Sequence, residues 1–291
     1  MYKPETRDEL KELVDDLSIN LGDIDTSLIT DMSLLFEETS RTDFSGIENW
    51  DTSNVTDMEC MFYKAENFNQ PLDKWDVSNV TNMRAMFAGA TNFNQTLNDW
   101  NVSNVVDMNS MFAEAENFNQ PLDKWDVSNV RNMREMFSGA ENFNQPLNNW
   151  DVSSVTDMSN MFAYAINFNQ PLDNWDVSSV THMRLMFANA INFNQSLNKW
   201  DVSSVTDMAE MFYEANNFNQ PLDNWDVSSV TDMRLMFAGT KNFNQPLNSW
   251  DVSNIDNMFG MFWNAKNFNQ DISSWNESKN EKSNKSIRKN K

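Results

Sequence analysis

The sequence predicts an α/β solenoid in which each repeat supplies one short helix and one short extended segment, stacked behind an N-terminal capping helix. Three observations predict it. Trp50, Trp75, Trp100, Trp125, Trp150, Trp175, Trp200, Trp225, Trp250 and Trp275 stand 25 residues apart without a slip. Within one unit, Met83, Met86, Phe87 and Ala90 recur at i, i+3, i+4 and i+7, the stripe of a short amphipathic helix. Trp75 and Val77 alternate as in a strand, in a segment too rich in turn formers to be helical. A unit this short cannot bury its own apolar face, so each must pack on its neighbours.

The elements follow in chain order. Residues 1–24 form a helical cap, with a helix over 4–17: Thr6 and Glu9 make a capping box, and Leu10, Leu13, Val14 and Leu17 share one face. Residues 25–276 form the solenoid, about ten coils. Its first coil is degenerate, with Asp31-Met32-Ser33-Leu34-Leu35-Phe36 echoing the later units one residue out of step. In the coil read here Thr81 stands at the N-cap of the predicted helix, and Asp at the next position in many copies, Asp57, Asp107, Asp157, Asp207 and Asp232, suits its dipole. Pro71 and its equivalents lack an amide hydrogen, so any ladder between coils is interrupted at that column. Residues 277–291 are polar and basic apart from Ile287 and read as a disordered tail. No apolar segment is left to cover the final coil, so Phe268, Ile272 and Trp275 are predicted as an exposed association edge.

A second period overlies the first. Arg84, Arg134, Arg184 and Arg234 follow the first methionine in alternate coils, and Asp73, Asp123, Asp173 and Asp223 alternate with Asn98, Asn148, Asn198 and Asn248. The duplicated unit is therefore a pair of coils.

The net charge of −22 argues against a nucleic-acid groove, which needs clustered Lys and Arg. The single cysteine, Cys60, sits in a column otherwise filled by Ala85, Ser110, Glu135 and Leu185, so neither a disulfide nor a metal site is expected. The first residues are charged where a signal peptide needs an apolar run, and no stretch is long and apolar enough to insert in a membrane.

The string Phe-Asn-Gln-Pro-Leu-x-x-Trp-Asp-Val-Ser-x-Val-Thr-x-Met-x-x-Met-Phe, as at Phe168 to Phe187, resembles the BspA-like family of bacterial surface-protein repeats, also found in giant viruses. The resemblance covers about residues 20–276. It implies a leucine-rich-repeat-like, right-handed coil stack with a role in adhesion or protein binding, and it brings no catalytic residues or cofactors. Location is divided: the residues point to the cytoplasm and the resemblance to the cell surface.

Four constellations invite a functional reading. The Asp column beside the tryptophans places like charges about 5 Å apart and invites a cation. An Asx-turn to the amide two residues on is the preferred account of it. The Asn69-Gln70 pair and its copies offer amides to a glycan or peptide, with a hydrogen-bonded ladder along the stack preferred. The arginine column either meets an acidic partner or pairs with Glu59 and Glu210 on adjacent coils. His182, the sole histidine, has no unique nucleophile near it, so an enzyme is not expected. The function expected is a non-enzymatic scaffold that binds a protein or glycan. The alternative is a spacer that self-associates through its C-terminal coil.

Overall fold

The computed structural model describes residues 1–277, and the predicted basic tail lies outside the described residues from Ser278 onward. The chain divides into two compact units, Met1–Gln145 and Pro146–Lys291. Each is a repeat solenoid. Regular secondary structure among the described residues comprises one α-helix, α1 (Arg7–Asp15), and the 3-10 turns Leu21–Asp23, Ile47–Asn49 and Ser273–Glu277.

The first unit opens with α1. The Thr6 hydroxyl oxygen accepts the Glu9 N–H at 3.2 Å and the Glu9 carboxylate accepts the Glu5 N–H at 2.8 Å, so the predicted capping signal starts the helix. The helix is shorter than predicted. It ends at Asp15, so Leu10 and Val14 are buried while Leu17, expected on the same face, is 59% exposed. Arg41 ends it: its buried guanidinium donates to the carbonyls of Val14 and Asp16, both at 2.9 Å, and of Ile19 at 3.2 Å. The Val14 and Asp16 carbonyls are among those a helix C-terminus leaves without internal partners.

The helix and strand predicted for each coil are not there. In the coil read above, the N–H groups of Met86, Ala88 and Ala90 bond three residues back, to Met83, Ala85 and Phe87. The intervening N–H groups of Met83, Ala85, Phe87 and Gly89 leave the coil and bond the carbonyls of Asp107, Asn109, Met111 and Ala113 at 2.7–3.1 Å. The segment is a run of overlapping turns in which alternate amides serve the next coil. Ala85 and Gly89 carry φ of +51° and +70°, and the equivalent pair is left-handed in the other runs as well. The apolar spacing that reads as a helix is real, since Met83, Met86, Phe87 and Ala90 are all buried, but consecutive turns produce it as well as a helix does.

Spacing explains why the helix loses. Phe62 and Phe87, copies of one position, stack with centroids 5.5 Å apart and planes within 4°. Packed helices need 8–10 Å between axes, so coils stepped this closely have no room for one helix each. The predicted extended piece fares no better. Trp75 closes a turn by donating its N–H to the Leu72 carbonyl at 3.1 Å, and Val80 closes another to Val77 at 3.0 Å. Parallel pairing between coils shrinks to one bridge per step at another column, Asp57 with Asn82 and Asn82 with Asp107 in the first unit, His182 with Asp207 and Asp207 with Asp232 in the second.

The core is three columns of rings. Phe87 stacks on Phe93 at 4.1 Å within its coil and on Phe112 at 5.7 Å in the next. Trp175 and Trp200 lie parallel at 6.3 Å. Buried indoles also tie neighbouring coils: Trp100 Nε1 donates to the Leu72 carbonyl and Trp200 Nε1 to the Leu172 carbonyl, both at 2.9 Å. Parallel copies of one ring are displaced by the local step of the stack. In the second unit that step is 5.7 Å at Phe187–Phe212, 6.1 Å at Phe193–Phe218 and 6.3 Å at Trp175–Trp200. The first unit shows the same order, 5.5 Å at Phe62–Phe87 and 6.5 Å at Trp50–Trp75. Coils within each unit therefore splay, with the turn runs on the concave side and the tryptophans on the convex side.

Two outcomes follow from this packing. Phe187→Ala should cost about 3–5 kcal/mol, read from the urea midpoint, because the ring is fully buried between Phe193, Phe212 and Trp200. Arg41→Ala should speed hydrogen exchange of the α1 amides while leaving the amides of the coils near Trp225 slow; equal loss in both places would contradict a local capping role.

Candidate functional site

Two kinds of exposed position can be told apart. On most of the surface the polar side chains are engaged in holding coil to coil. Asn69 Oδ1 accepts the N–H of Asn94 at 3.0 Å and the side-chain amide of Gln95 at 3.1 Å, and Asn194 does the same for Asn219 and Gln220. The Asn-Gln column is thus the amide ladder preferred from sequence. The Thr81 hydroxyl donates to the Thr56 carbonyl at 3.3 Å, and the Asn104 side chain donates to the Ser78 carbonyl at 2.7 Å.

The aspartates beside the tryptophans form Asx-turns. Asp126 Oδ1 accepts the Ser128 hydroxyl at 2.6 Å and the Ser128 N–H at 3.1 Å. The hydroxyl first and the backbone amide second hold the Asp126 carboxyl below its ordinary range. Asp76 and Asp226 are lowered by the same two bonds from Ser78 and Ser228. Among the described residues, no three His, Cys, Asp or Glu side chains gather as metal ligands would.

The outward positions of the turn runs differ from these columns. Where the buried sites repeat Met, Met and Phe coil after coil, the column of Ala85 holds Cys60, Ser110, Glu135, Asn160, Leu185, Glu210 and Leu235, and the column of Gly89 holds Lys64, Glu114, Tyr164, Asn189 and Glu214. The backbone makes the regular coil-to-coil bonds here, with side-chain ties only at particular steps, such as Ser110 to Glu135 at 3.3 Å and Lys64 to Glu38 at 2.9 Å, so residue type is free to vary.

The four predicted arginines stand on the turn runs, Arg84 and Arg134 in the first unit and Arg184 and Arg234 in the second, each beside a carboxylate. Arg84 meets Glu59 at 3.2 Å, Arg134 meets Glu135 at 3.1 Å, and Arg184 and Arg234 both reach Glu210, at 3.4 and 3.6 Å. Glu59 and Glu210 are the partners the sequence offered. Glu135 was missed because it adjoins its arginine along the chain. His182 is exposed, with Nδ1 2.8 Å from the Thr181 hydroxyl.

The predicted edge requires correction. Ile272 and Trp275 are buried, at 6% and 2% exposure, and Phe268 is half-buried, because Trp275 stacks on Trp250 and Phe268 stacks on Phe243 and Phe262. The exposed apolar residues of this coil are Phe259, at 63%, and Trp263, at 44%. The signal lay in the columns: Phe259 stands where four coils carry the arginines, and Trp263 where Ala163, Ala188 and Ala238 stand.

The fold and its laddered surface define a tandem-repeat solenoid. Residues 8–125, 107–214 and 193–291 each match the family described as Mycoplasma protein of unknown function, DUF285, and the chain belongs to that family. No curated protein matches it. Among the described residues, no helix is long and apolar enough to cross a membrane.

The Asx-turns carry a pH signature. A carboxyl that titrates lower when folded contributes stability that is fully present above its unfolded value, about pH 4, and is lost as pH falls through the folded value. Ser128→Ala should therefore lower Tm at neutral pH, with the difference from wild type closing below about pH 4; a constant difference across that range would contradict the assignment.

Proposed function

We propose that the protein is a non-enzymatic binding scaffold that presents ligand-binding side chains on the turn runs of each unit, and that the ligand is a protein or glycan. The carrying observation is the contrast between columns. Side chains that hold the coils together recur, whereas those projecting from the runs change from coil to coil on a backbone that does not. Such a surface presents different chemistry at each step without disturbing the stack, as extended repeat surfaces do. The runs are mixed in character, with exposed Arg84 and Arg134 and half-buried Arg184 and Arg234 among carboxylates, Tyr164 at 55% exposure and the half-buried Leu185 and Leu235. The net charge of −22 disfavours a nucleic-acid partner.

The repeat motif supports a closer kinship with BspA-like surface repeats, and with it a leucine-rich-repeat-like, right-handed coil and display at the cell surface as an adhesive protein. No residue is assigned a catalytic or cofactor role. The arginine column is the part of the runs on which we place an acidic group of the partner, since Arg presents a planar fork of donors suited to carboxylates.

The test is a glycan array and a panel of cell-surface extracts probed with wild type and with a variant carrying Arg84→Glu, Arg134→Glu, Arg184→Glu and Arg234→Glu. The expected outcome is saturable binding to one ligand class, reduced at least about tenfold by the four changes, while near-ultraviolet circular dichroism stays the same. Saturable binding untouched by the reversal would remove the arginine column from the site. Absence of any saturable ligand would remove the binding reading.

A further inference from the structure

In the second unit a neutral island interrupts two columns that carry charge elsewhere. Tyr164, Ile166, Asn189 and Ile191 form it, where the same columns hold Lys64 with Glu66 and Glu114 with Glu116 in the first unit. Two backbone bonds clamp its coils together: the Tyr164 N–H donates to the Ala188 carbonyl at 2.7 Å, and the Asn192 N–H donates to the Ile166 carbonyl at 3.2 Å. Tyr164 is 55% exposed and the two isoleucines are half-buried.

The next coil holds the tyrosine upright. Gly89, Gly139 and Gly239 each leave a hollow for the side chain one coil earlier: a Cβ there would stand 2.8 Å from Lys64 Cγ, 3.3 Å from Glu114 Cγ and 2.6 Å from Glu214 Cδ. Below Tyr164 the column has Asn189, whose Cβ fills that hollow, so the ring projects from the stack instead of lying along it. The charges bordering the island are engaged elsewhere. Glu214, next in the column, rests against Gly239, and Arg184 pairs with Glu210 at 3.4 Å. The amides are not engaged: the half-buried side chains of Asn160 and Asn189 hydrogen-bond no described residue.

An exposed ring, aliphatic carbon and unpaired amides select a ligand by chemistry. A pyranose has a C–H face that stacks on the electron-rich face of an aromatic ring. Its hydroxyls each donate and accept, and a carboxamide answers with two donors and an acceptor oxygen. A protein partner would need about 800 Å² and about 20–30 residues on each side, far more than one ring and two isoleucines supply. We infer that Tyr164 and Asn189 form a subsite for a neutral sugar, with one pyranose stacked on the ring and its hydroxyls on Asn160 and Asn189. The inference rests on the binding-scaffold reading and adds to it a site that does not use the arginine column.

The chain has four tyrosines, Tyr2, Tyr63, Tyr164 and Tyr213, so carbon-13 labelling of tyrosine rings places one reporter in the site and three outside it. The full chain is titrated with the hexasaccharides of N-acetylglucosamine, glucose and mannose, and calorimetry reads the affinity. The expected result is saturable movement of the Tyr164 signal with at least one of the three, while the other tyrosines stay still. Tyr164→Phe keeps the ring face and should keep the affinity, whereas Tyr164→Ala should lower it at least about tenfold. Asn189→Ala should lower it about threefold to tenfold. Arg84→Glu with Arg134→Glu, both in the first unit, should leave sugar binding unchanged while weakening the ligand of the arginine column, so the two readings fail separately. A Tyr164 signal unmoved by all three sugars overturns the inference, as does affinity that survives Tyr164→Ala. Movement with polyproline and with none of the sugars assigns the island to a peptide and overturns it equally.

Discussion

Everything in these coils depends on the step between them. Alternate amides of a turn run bond the carbonyls of the next run at 2.7–3.1 Å, and bonds of that length fix neighbouring backbones at a strand-like separation of about 4.8 Å. At that distance a helix cannot fit, but flat rings can, and the core is accordingly made of stacked Phe and Trp with methionine filling the irregular gaps. The left-handed residues follow from the same demand. Sending every second amide out of the coil while its neighbours close turns reverses the backbone's hand at two positions per run, and Leu185 and Glu210 accept φ of +58° and +61° there although neither is glycine. The conformational cost at these positions is held by bonds and packing on both sides.

The close step also governs charge. Carboxylates stacked directly on one another at about 5 Å repel appreciably even in water, and the doubled period relieves this. Asn98 donates its side-chain amide to Asp123 at 3.0 Å and accepts the Lys124 N–H at 3.1 Å, and Asn198 treats Asp223 and Asn224 in the same way. Asn82 donates to Asp57 at 3.2 Å, and Asn132 holds the equivalent place. In the Asp73 column a pair of coils, one with the acid and one with its amide, is thus the smallest unit that stacks without like charges in contact, whereas the column of Asp126 and Asp151 beside the tryptophans runs acid on acid.

The period, the buried positions, the capped first coil, the Asx-turns and the amide ladder were legible because each rests on residue type and spacing alone. Local structure was not. A spacing of i, i+3, i+4 and i+7 records which side chains point inward, and a chain of three-residue turns satisfies it as well as Met83 to Ala90 does in a helix. What decides between them is where the amide of Phe87 goes, and that depends on a residue of the next coil, Met111. The C-terminal edge was misplaced for a similar reason. Ile272 and Trp275 are the apolar residues nearest the end of the pattern, but Trp275 has a complete coil beneath it, whereas Phe259 and Trp263 occupy outward columns that only the geometry of the run identifies.

The indole column has an optical consequence. Trp225, Trp250 and Trp275 lie 6.3 Å apart with successive planes within 3° and 7°. Excitation passes readily between chromophores this close, and in most proteins such hopping scrambles the polarisation of the emitted light. Here donor and acceptor are nearly parallel, so energy can migrate along the column while its polarisation is preserved. The anisotropy of tryptophan emission then becomes a gauge of alignment rather than of tumbling alone: a single tilted coil depolarises light absorbed several coils away.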